Sequence, residues 1–201
     1  MKHLKFWAIL LMMVTAATLS GCSSSRNASD AKQISYKDVG SHKSKKGSSK
    51  KSNDSSKSSG SLSGISKKLG VQVTSSDNQK LYSEAASWVG APYKYGGTSR
   101  SGVDCSGFTY LMYKSVYGKT ISRQSGEILS KDCNKIKKSD LRAGDLVFFR
   151  TDGKRSSTPN HVGIYLKSNK FIHASSSKGV VVSDLTTDYY VKNWIAGGRV
   201  R

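Results

Sequence analysis

Cys105, His161 and His173 are the residues of this chain whose types suit nucleophilic catalysis. A cysteine attacks as its thiolate, and a neighbouring imidazole can take the thiol proton and pass it to a leaving group. A third group that hydrogen-bonds the far nitrogen of that imidazole fixes its tautomer and orientation. A cysteine alone is more often a packed residue. The three together predict Cys105 as nucleophile, His161 as base and His173 as the orienting residue.

The segment that begins at Cys105 has the pattern of a helix. Apolar residues recur at helical spacing from Phe108 to Val116, and Gly118 stands just past the expected end. Unpaired N–H groups and the helix dipole favour negative charge at a helix start, and a protonated histidine nearby adds to this effect. We therefore expect the pKa of Cys105 to lie below its ordinary value.

The two histidines lie in segments with strand-like patterns, on either side of a short loop. If residues 167–169 form a three-residue hairpin loop, His173 falls opposite Gly163 and becomes a diagonal neighbour of His161. Diagonal neighbours in a sheet are about 7–8 Å apart, which long side chains can bridge, and glycine leaves room between them. A two-residue loop would instead put the histidines on opposite faces, so the loop length decides whether they meet.

The other elements indicate an α+β domain over residues 77–201. We predict a helix capped by Asp77 and ended by Gly90 and Pro92, and a short helix over Ser122–Ser130. Five strands are predicted: Asp145–Arg150, His161–Leu166, Lys170–Ala174, Val180–Ser183 and Trp194–Val200. Helices followed by antiparallel strands are typical of this fold class.

The N-terminal residues predict export and membrane anchoring. Lys2 and Lys5 precede an apolar run that is too short for a comfortable membrane span, so residues 1–21 are predicted to be a signal peptide. The tetrapeptide that ends in Cys22 resembles a bacterial lipobox, which predicts lipidation of Cys22. An ordinary signal with a coincidental cysteine is the alternative. Residues 22–76, rich in Ser and Lys, are predicted to be the lipidated cysteine and a disordered linker.

Charge and cysteine content limit the partners. The net charge of +20 suits nucleic acid, an anionic membrane or an acidic polymer, and export disfavours nucleic acid. Export would permit a disulfide between Cys105 and Cys133. Because Cys105 is needed as a free thiol, Cys133 is predicted to be a buried small hydrophobe. No paired short-spacing ligands or phosphate-binding loop are present, so neither metal nor cofactor is expected.

The C-terminal domain contains five motifs: Gly90–Gly97, Asp104–Phe108, Gly144–Phe149, His161–Tyr165 and Phe171–Ala174. These motifs and their order resemble those of the NlpC-type cell-wall cysteine peptidases. The lipobox before a single domain is similar to the MepS-like murein endopeptidase lipoproteins. The resemblance implies a papain-like fold with helices packed on a sheet of about five strands. It also implies that Tyr93 and the Cys105 N–H stabilise the oxyanion, and a packing role for the Tyr93 ring is the alternative. Asp104 and Ser106 are expected to cap the helix or contact substrate.

The resemblance implies a monomeric cell-envelope enzyme that cleaves amide bonds in peptidoglycan stem peptides or cross-links. If the source is Gram-negative, the anchor would lie in the outer membrane and face the periplasm; a cell-surface location is the alternative. Two other functions stay open. One is a non-catalytic peptidoglycan-binding lipoprotein. The other is a thiol acyltransferase or phospholipase, which would need a broad apolar entrance to Cys105.

Overall fold

The computed structural model describes the backbone of residues 55–201 and the side chains of residues 61–201. The predicted signal peptide, the lipidation site Cys22 and the linker up to residue 54 lie outside the described residues. Between residues 55 and 201, no helix has the length and apolarity needed to cross a membrane.

The folded domain begins earlier than the predicted residue 77. Helix α1 spans Ser55–Leu69, and Leu69 is buried in the main core together with Val71 and Val73. Leu62 packs against the same core and has helical spacing to Leu69. The prediction of a disordered linker is therefore wrong for residues 61–76, because a few apolar residues at helical spacing are enough to pack this Ser/Lys-rich segment onto the domain.

Two further helices carry most of the helical part of the core. Helix α2 (Gln79–Trp88) is capped by Asn78, whose side chain accepts a hydrogen bond from the Leu81 N–H at 3.0 Å. The predicted cap, Asp77, instead pairs with Lys167 at 2.6 Å. Helix α3 spans Cys105–Tyr117 and ends at Gly118 in the left-handed conformation, as predicted. It packs against the strands that carry the histidines.

The main sheet has six antiparallel strands in the order β3-β8-β4-β5-β6-β7. Their bounds are β3 Cys133–Ile136, β4 Leu146–Phe149, β5 His161–Tyr165, β6 Lys170–Ser175, β7 Gly179–Asp184 and β8 Trp194–Val200. A two-stranded ribbon, β1 (Thr98–Ser99) and β2 (Gly102–Val103), precedes α3. The α+β class is thus confirmed, and five of the six strands lie where they were predicted. The missed strand is β3.

Shorter helical segments connect these elements. The helix predicted over Ser122–Ser130 is α4 (Ser125–Glu127), which continues into a π-helical turn over Ile128–Asp132. A 3₁₀ turn covers Lys138–Asp140. Helix α5 (Asp188–Lys192) follows β7 and precedes β8 in the chain, and it supplies part of the cleft described below.

The sheet has a core on each face. Side chains such as Leu146 and Ile164 pack under the helices, whereas Val147, Phe149 and Phe171 form a second cluster. The β5–β6 register pairs Ile164 with Ile172, and the Leu166 N–H bonds to Lys170 O at 2.9 Å across the loop 167–169. The predicted three-residue loop is therefore confirmed, and both histidines fall on one face.

Candidate active site

Cys105 occupies the first position of α3, where a network around Asp104 fixes the backbone. Asp104 accepts hydrogen bonds from the N–H of Gly107 at 2.6 Å and from the N–H of Gly96 at 2.8 Å. The first bond caps the helix and the second fixes the glycine-rich turn beside it. The thiol is half-buried, and its Sγ lies 4.0 Å from the carbonyl oxygen of Asn160, just before β5.

The two histidines are in direct contact. Nε2 of His161 lies 2.8 Å from Nδ1 of His173, and the two rings are nearly perpendicular. Because this bond occupies Nε2, Nδ1 of His161 is the ring nitrogen left to serve as base. A Cβ on Gly163 would lie 3.1 Å from His173 Cβ and 2.7 Å from the Phe171 ring. Glycine is therefore required between the histidines, as the sequence indicates.

His173 is buried and has two further partners that the sequence did not predict. Its Nε2 lies 3.0 Å from Ser183 Oγ and 3.1 Å from the Tyr190 hydroxyl. With Nδ1 of His161 free to accept a proton, Nε2–H of His161 donates to His173 Nδ1, and His173 Nε2–H donates to a hydroxyl. One tautomer thus satisfies the whole chain of contacts.

A cavity of about 680 Å³ joins the thiol to the histidines. Cys105, His161, His173 and Tyr93 all line it. Tyr93 is half-buried, and its pKa is raised mainly by burial and to a smaller extent by the nearby Cys105 thiol. Its hydroxyl therefore stays protonated and able to donate at neutral pH. The structure therefore brings together the four residues that the sequence singled out for chemistry and oxyanion binding.

Asp104 and Ser106 have structural contacts instead of the substrate contacts expected as one of their roles. Both are buried, and neither lines the cavity. Ser106 Oγ lies 2.8 Å from the Arg123 carbonyl oxygen and 3.1 Å from Asp104 Oδ1. These contacts hold the start of α3 against the following loop. The alternative prediction for Asp104, a helix cap, is the one the geometry supports.

Burial favours the neutral forms of the reacting groups. It lowers the pKa of His161 to about 4 and that of His173 well below its ordinary value. It raises the pKa of Cys105, against the lowering effect of backbone N–H donors that include Val162. The expected lowering of the Cys105 pKa is therefore wrong, because desolvation of the thiolate outweighs the helix start.

The other cysteine of residues 55–201, Cys133, does not line the cavity. Cys133 and Cys105 are both free thiols. Cys133 is buried on β3 against the main core, as predicted, and burial raises its pKa to about 12. Within residues 55–201, no group of three or more His, Cys, Asp or Glu side chains is placed to hold a metal ion.

Known proteins are similar to this chain in sequence. The NlpC/P60 family matches residues 90–199. The probable endopeptidase NlpC of Escherichia coli K12 is 42% identical over 120 residues, which cover 60% of this chain and 76% of that protein. The murein DD-endopeptidase MepS/murein LD-carboxypeptidase of the same strain is 37% identical over 122 residues, 60% of this chain and 62% of that protein.

Solved structures agree with the sequence match. The crystal structure of an NlpC/P60 family protein from Bacillus cereus ATCC 10987 superposes with a TM-score of 0.56 at 32% identity, and the match covers 64% of this chain and 42% of that one. The family match over residues 90–199 includes Cys105, His161 and His173. Because this match spans more than half of its 201 residues, the chain belongs to the NlpC/P60 family.

Proposed function

We propose that this chain is a cysteine peptidase that hydrolyses amide bonds in peptidoglycan stem peptides or their cross-links. The observation that carries the proposal is the shared cavity of Cys105, His161 and His173, with the imidazoles 2.8 Å apart. The two E. coli relatives are named as a probable endopeptidase and a murein endopeptidase. Their names supply the substrate class, and the site supplies the chemistry.

The first half of the reaction forms an acyl-enzyme. Nδ1 of His161 takes the proton from Cys105 Sγ as the sulfur attacks the peptide carbonyl carbon. The resulting oxyanion accepts hydrogen bonds from the Cys105 N–H and the Tyr93 hydroxyl. When the tetrahedral intermediate collapses, the C–N bond breaks and His161 passes its proton to the leaving amine. The product is a thioester on Cys105.

The second half releases the enzyme by the same groups. His161 takes a proton from a water molecule as the water oxygen attacks the thioester carbonyl carbon. Collapse breaks the C–S bond, and the proton returns to sulfur. His173 holds the His161 ring during both steps and stabilises its positive charge, since its Nδ1 accepts the Nε2–H bond. A neutral thiol–imidazole pair is a suitable ground state for this cycle, because the charges develop only with substrate bound.

We also propose that the enzyme is an exported, monomeric lipoprotein of the cell envelope. The support lies in residues 1–22, whose basic start, apolar run and final cysteine are typical of a lipoprotein signal. Several acyl chains on Cys22 would give a stable membrane anchor. Labelling cells with an alkyne fatty acid tests this proposal: wild-type protein should be labelled and Cys22→Ala should not.

The cavity wall favours a peptide substrate over a lipid. Many of the side chains that line the cavity are polar, and they include Thr151, Asn160, Ser175, Ser176, Ser177 and Lys178. A phospholipase or acyltransferase would need a broad apolar entrance to accept acyl chains. The non-catalytic alternative, a peptidoglycan-binding lipoprotein, has no need of the hydrogen-bonded histidine pair.

Mass spectrometry of purified peptidoglycan, digested by the full chain, tests the proposed function. The wild type should release new peptide termini that name the bond, and Cys105→Ala should release none. Cys133→Ala is the matched control, because it removes a thiol outside the cavity and should retain cleavage. If wild type and Cys105→Ala both bind peptidoglycan but neither cleaves it, the peptidase proposal fails and the binding function replaces it.

A further inference from the structure

The turn between β6 and β7 forms a polar wall of the active-site cavity. Ser175, Ser176, Ser177 and Lys178 all line the cavity that contains the Cys105 thiol. Ser175 Oγ lies 3.3 Å from Ser177 Oγ. This turn therefore places several hydroxyls and one ammonium group where they can contact a ligand bound in the cavity.

The backbone beside Lys178 is held firmly against the segment that leads to Tyr93. The Val180 N–H donates to Ala91 O at 2.8 Å, and the Gly90 N–H donates to Val180 O at 2.9 Å. Gly179 has φ +70°, and a Cβ there would clash with the Ala91 carbonyl oxygen. These contacts fix the backbone position from which the Lys178 side chain extends.

The ammonium group of Lys178 has no counterion in the cleft. Asp184, the carboxylate that lines the cavity, pairs with Lys170 at 2.9 Å and accepts a bond from Thr186 Oγ1 at 2.6 Å. Over residues 61–201, none of the ion pairs includes Lys178. One wall of the cavity therefore carries a positive charge that a bound ligand can neutralise.

We propose that Lys178 binds a free carboxylate of the stem peptide and thereby selects acidic substrates. This inference rests on the proposed peptidase function, because a peptidoglycan peptide is the ligand that would bring such a carboxylate beside the thiol. A lysine ammonium binds a carboxylate as a point charge without fixed geometry. The serine hydroxyls of the turn can donate to the same carboxylate or to adjacent peptide groups.

The test compares two probes that differ only in charge. These are the synthetic peptide L-Ala-γ-D-Glu-L-Lys-D-Ala and the same peptide with both free carboxylates converted to carboxamides. Binding is measured by calorimetry on full-chain Cys105→Ala, so that turnover does not interfere. The acidic peptide should bind about 5- to 20-fold more tightly than its amide, as expected for a charge-assisted contact. Adding Lys178→Met should remove this preference and leave the affinity for the amide unchanged.

Lys80→Met is the matched control, because Lys80 is an exposed lysine of α2 that does not line the cavity. It removes the same charge and should keep the preference for the acidic peptide. Equal affinities for the two peptides, a preference that survives Lys178→Met, or no binding of either peptide would overturn the assignment. Charge-dependent binding without any peptidoglycan cleavage by the wild type would retain Lys178 as the carboxylate site while rejecting the hydrolase.

Discussion

The hydroxyl of Tyr190 lies 3.1 Å from Nε2 of His173 and 3.4 Å from Ser183 Oγ, so α5 is joined to the histidine pair through a side chain. His173 in turn bonds to His161. The orientation of the base therefore depends on residues from three separate elements: β6, β7 and α5. Tyr190 and Ser183 act through His173 and are positioning residues.

Removing both hydroxyls should lower kcat with little change in KM. One hydrogen bond is worth about 1 kcal/mol, which corresponds to a several-fold loss of rate. We expect Tyr190→Phe to lower kcat about 3-fold, since Ser183 still accepts from His173, and Ser183→Ala/Tyr190→Phe to lower it about 10- to 30-fold. Tyr95→Phe, which removes an exposed hydroxyl outside the cavity, is the control. An unchanged kcat in the double variant would show that His173 needs neither partner.

The pH profile of kcat/KM should be broad. Below the pKa of His161, which burial lowers to about 4, the base is protonated and activity is lost as pH falls. Burial raises the pKa of Cys105, so the thiol proton needed by the leaving amine is lost only at alkaline pH. We expect an acid limb well below the ordinary histidine pKa of about 6.5 and an alkaline limb above about 8.5.

Rates of peptide cleavage between pH 4 and pH 10 measure this profile. Circular dichroism at each pH serves as the control, because protonation of buried histidines also favours unfolding. An acid limb centred near pH 6.5 in folded protein would mean that His161 titrates as a solvated residue, and it would refute the lowered pKa of this base.

Gly163→Ala should damage both stability and catalysis. The added Cβ would approach the Phe171 ring and His173 Cβ to within 2.7 and 3.1 Å, and overpacking of this kind costs about 1–3 kcal/mol. Because the shift falls on His173, kcat should drop even where the variant is fully folded. Gly64→Ala is the matched control, since a Cβ there meets nothing within 4 Å. The test measures the free energy of unfolding in urea and kcat for each variant. A Gly163→Ala variant with wild-type values for both would refute the close contact.

Leu69→Ala tests whether the domain includes α1. Leu69 is 1% exposed in the core, and truncating a buried leucine costs about 2–5 kcal/mol. Leu62, which is only partly buried, should cost less when truncated. Urea unfolding of the full chain measures both values. If residues 61–76 were a solvated linker, neither substitution would change the free energy of unfolding.

The sequence predicted the reacting residues because local rules determine their placement. Gly118 and the apolar spacing set the ends of α3, and the three-residue loop after Leu166 sets the register that joins the histidines. The same rules could not find Tyr190, because the position of α5 depends on packing between distant segments. Ser183 lies two residues from Val181, the β7 partner of His173, so it is a diagonal neighbour of His173. It could have been predicted only from the β6–β7 register, which the sequence analysis did not assign.

Two other differences have physical causes. Strand β3 has an exposed centre at Asn134 and Lys135, and neither residue has strong β-propensity. The segment that pairs with β8 therefore has no hydrophobic pattern that predicts a strand. The pKa of Cys105 depends on desolvation, which the helix-start argument does not include. Helix α1 was missed because its composition resembles a linker, although Leu62 and Leu69 carry the packing signal.

The backbone bonds of Val180 to Gly90 and Ala91 join the start of β7 to the segment that leads to Tyr93. The end of the turn after Lys178 is fixed by backbone groups, which every amino acid except proline supplies, and by Gly179. The side chains at Ser176, Ser177 and Lys178 can therefore be exchanged without shifting the thiol or the imidazoles. Natural variation or protein engineering could retune substrate choice at these three positions while the catalytic apparatus stays constant.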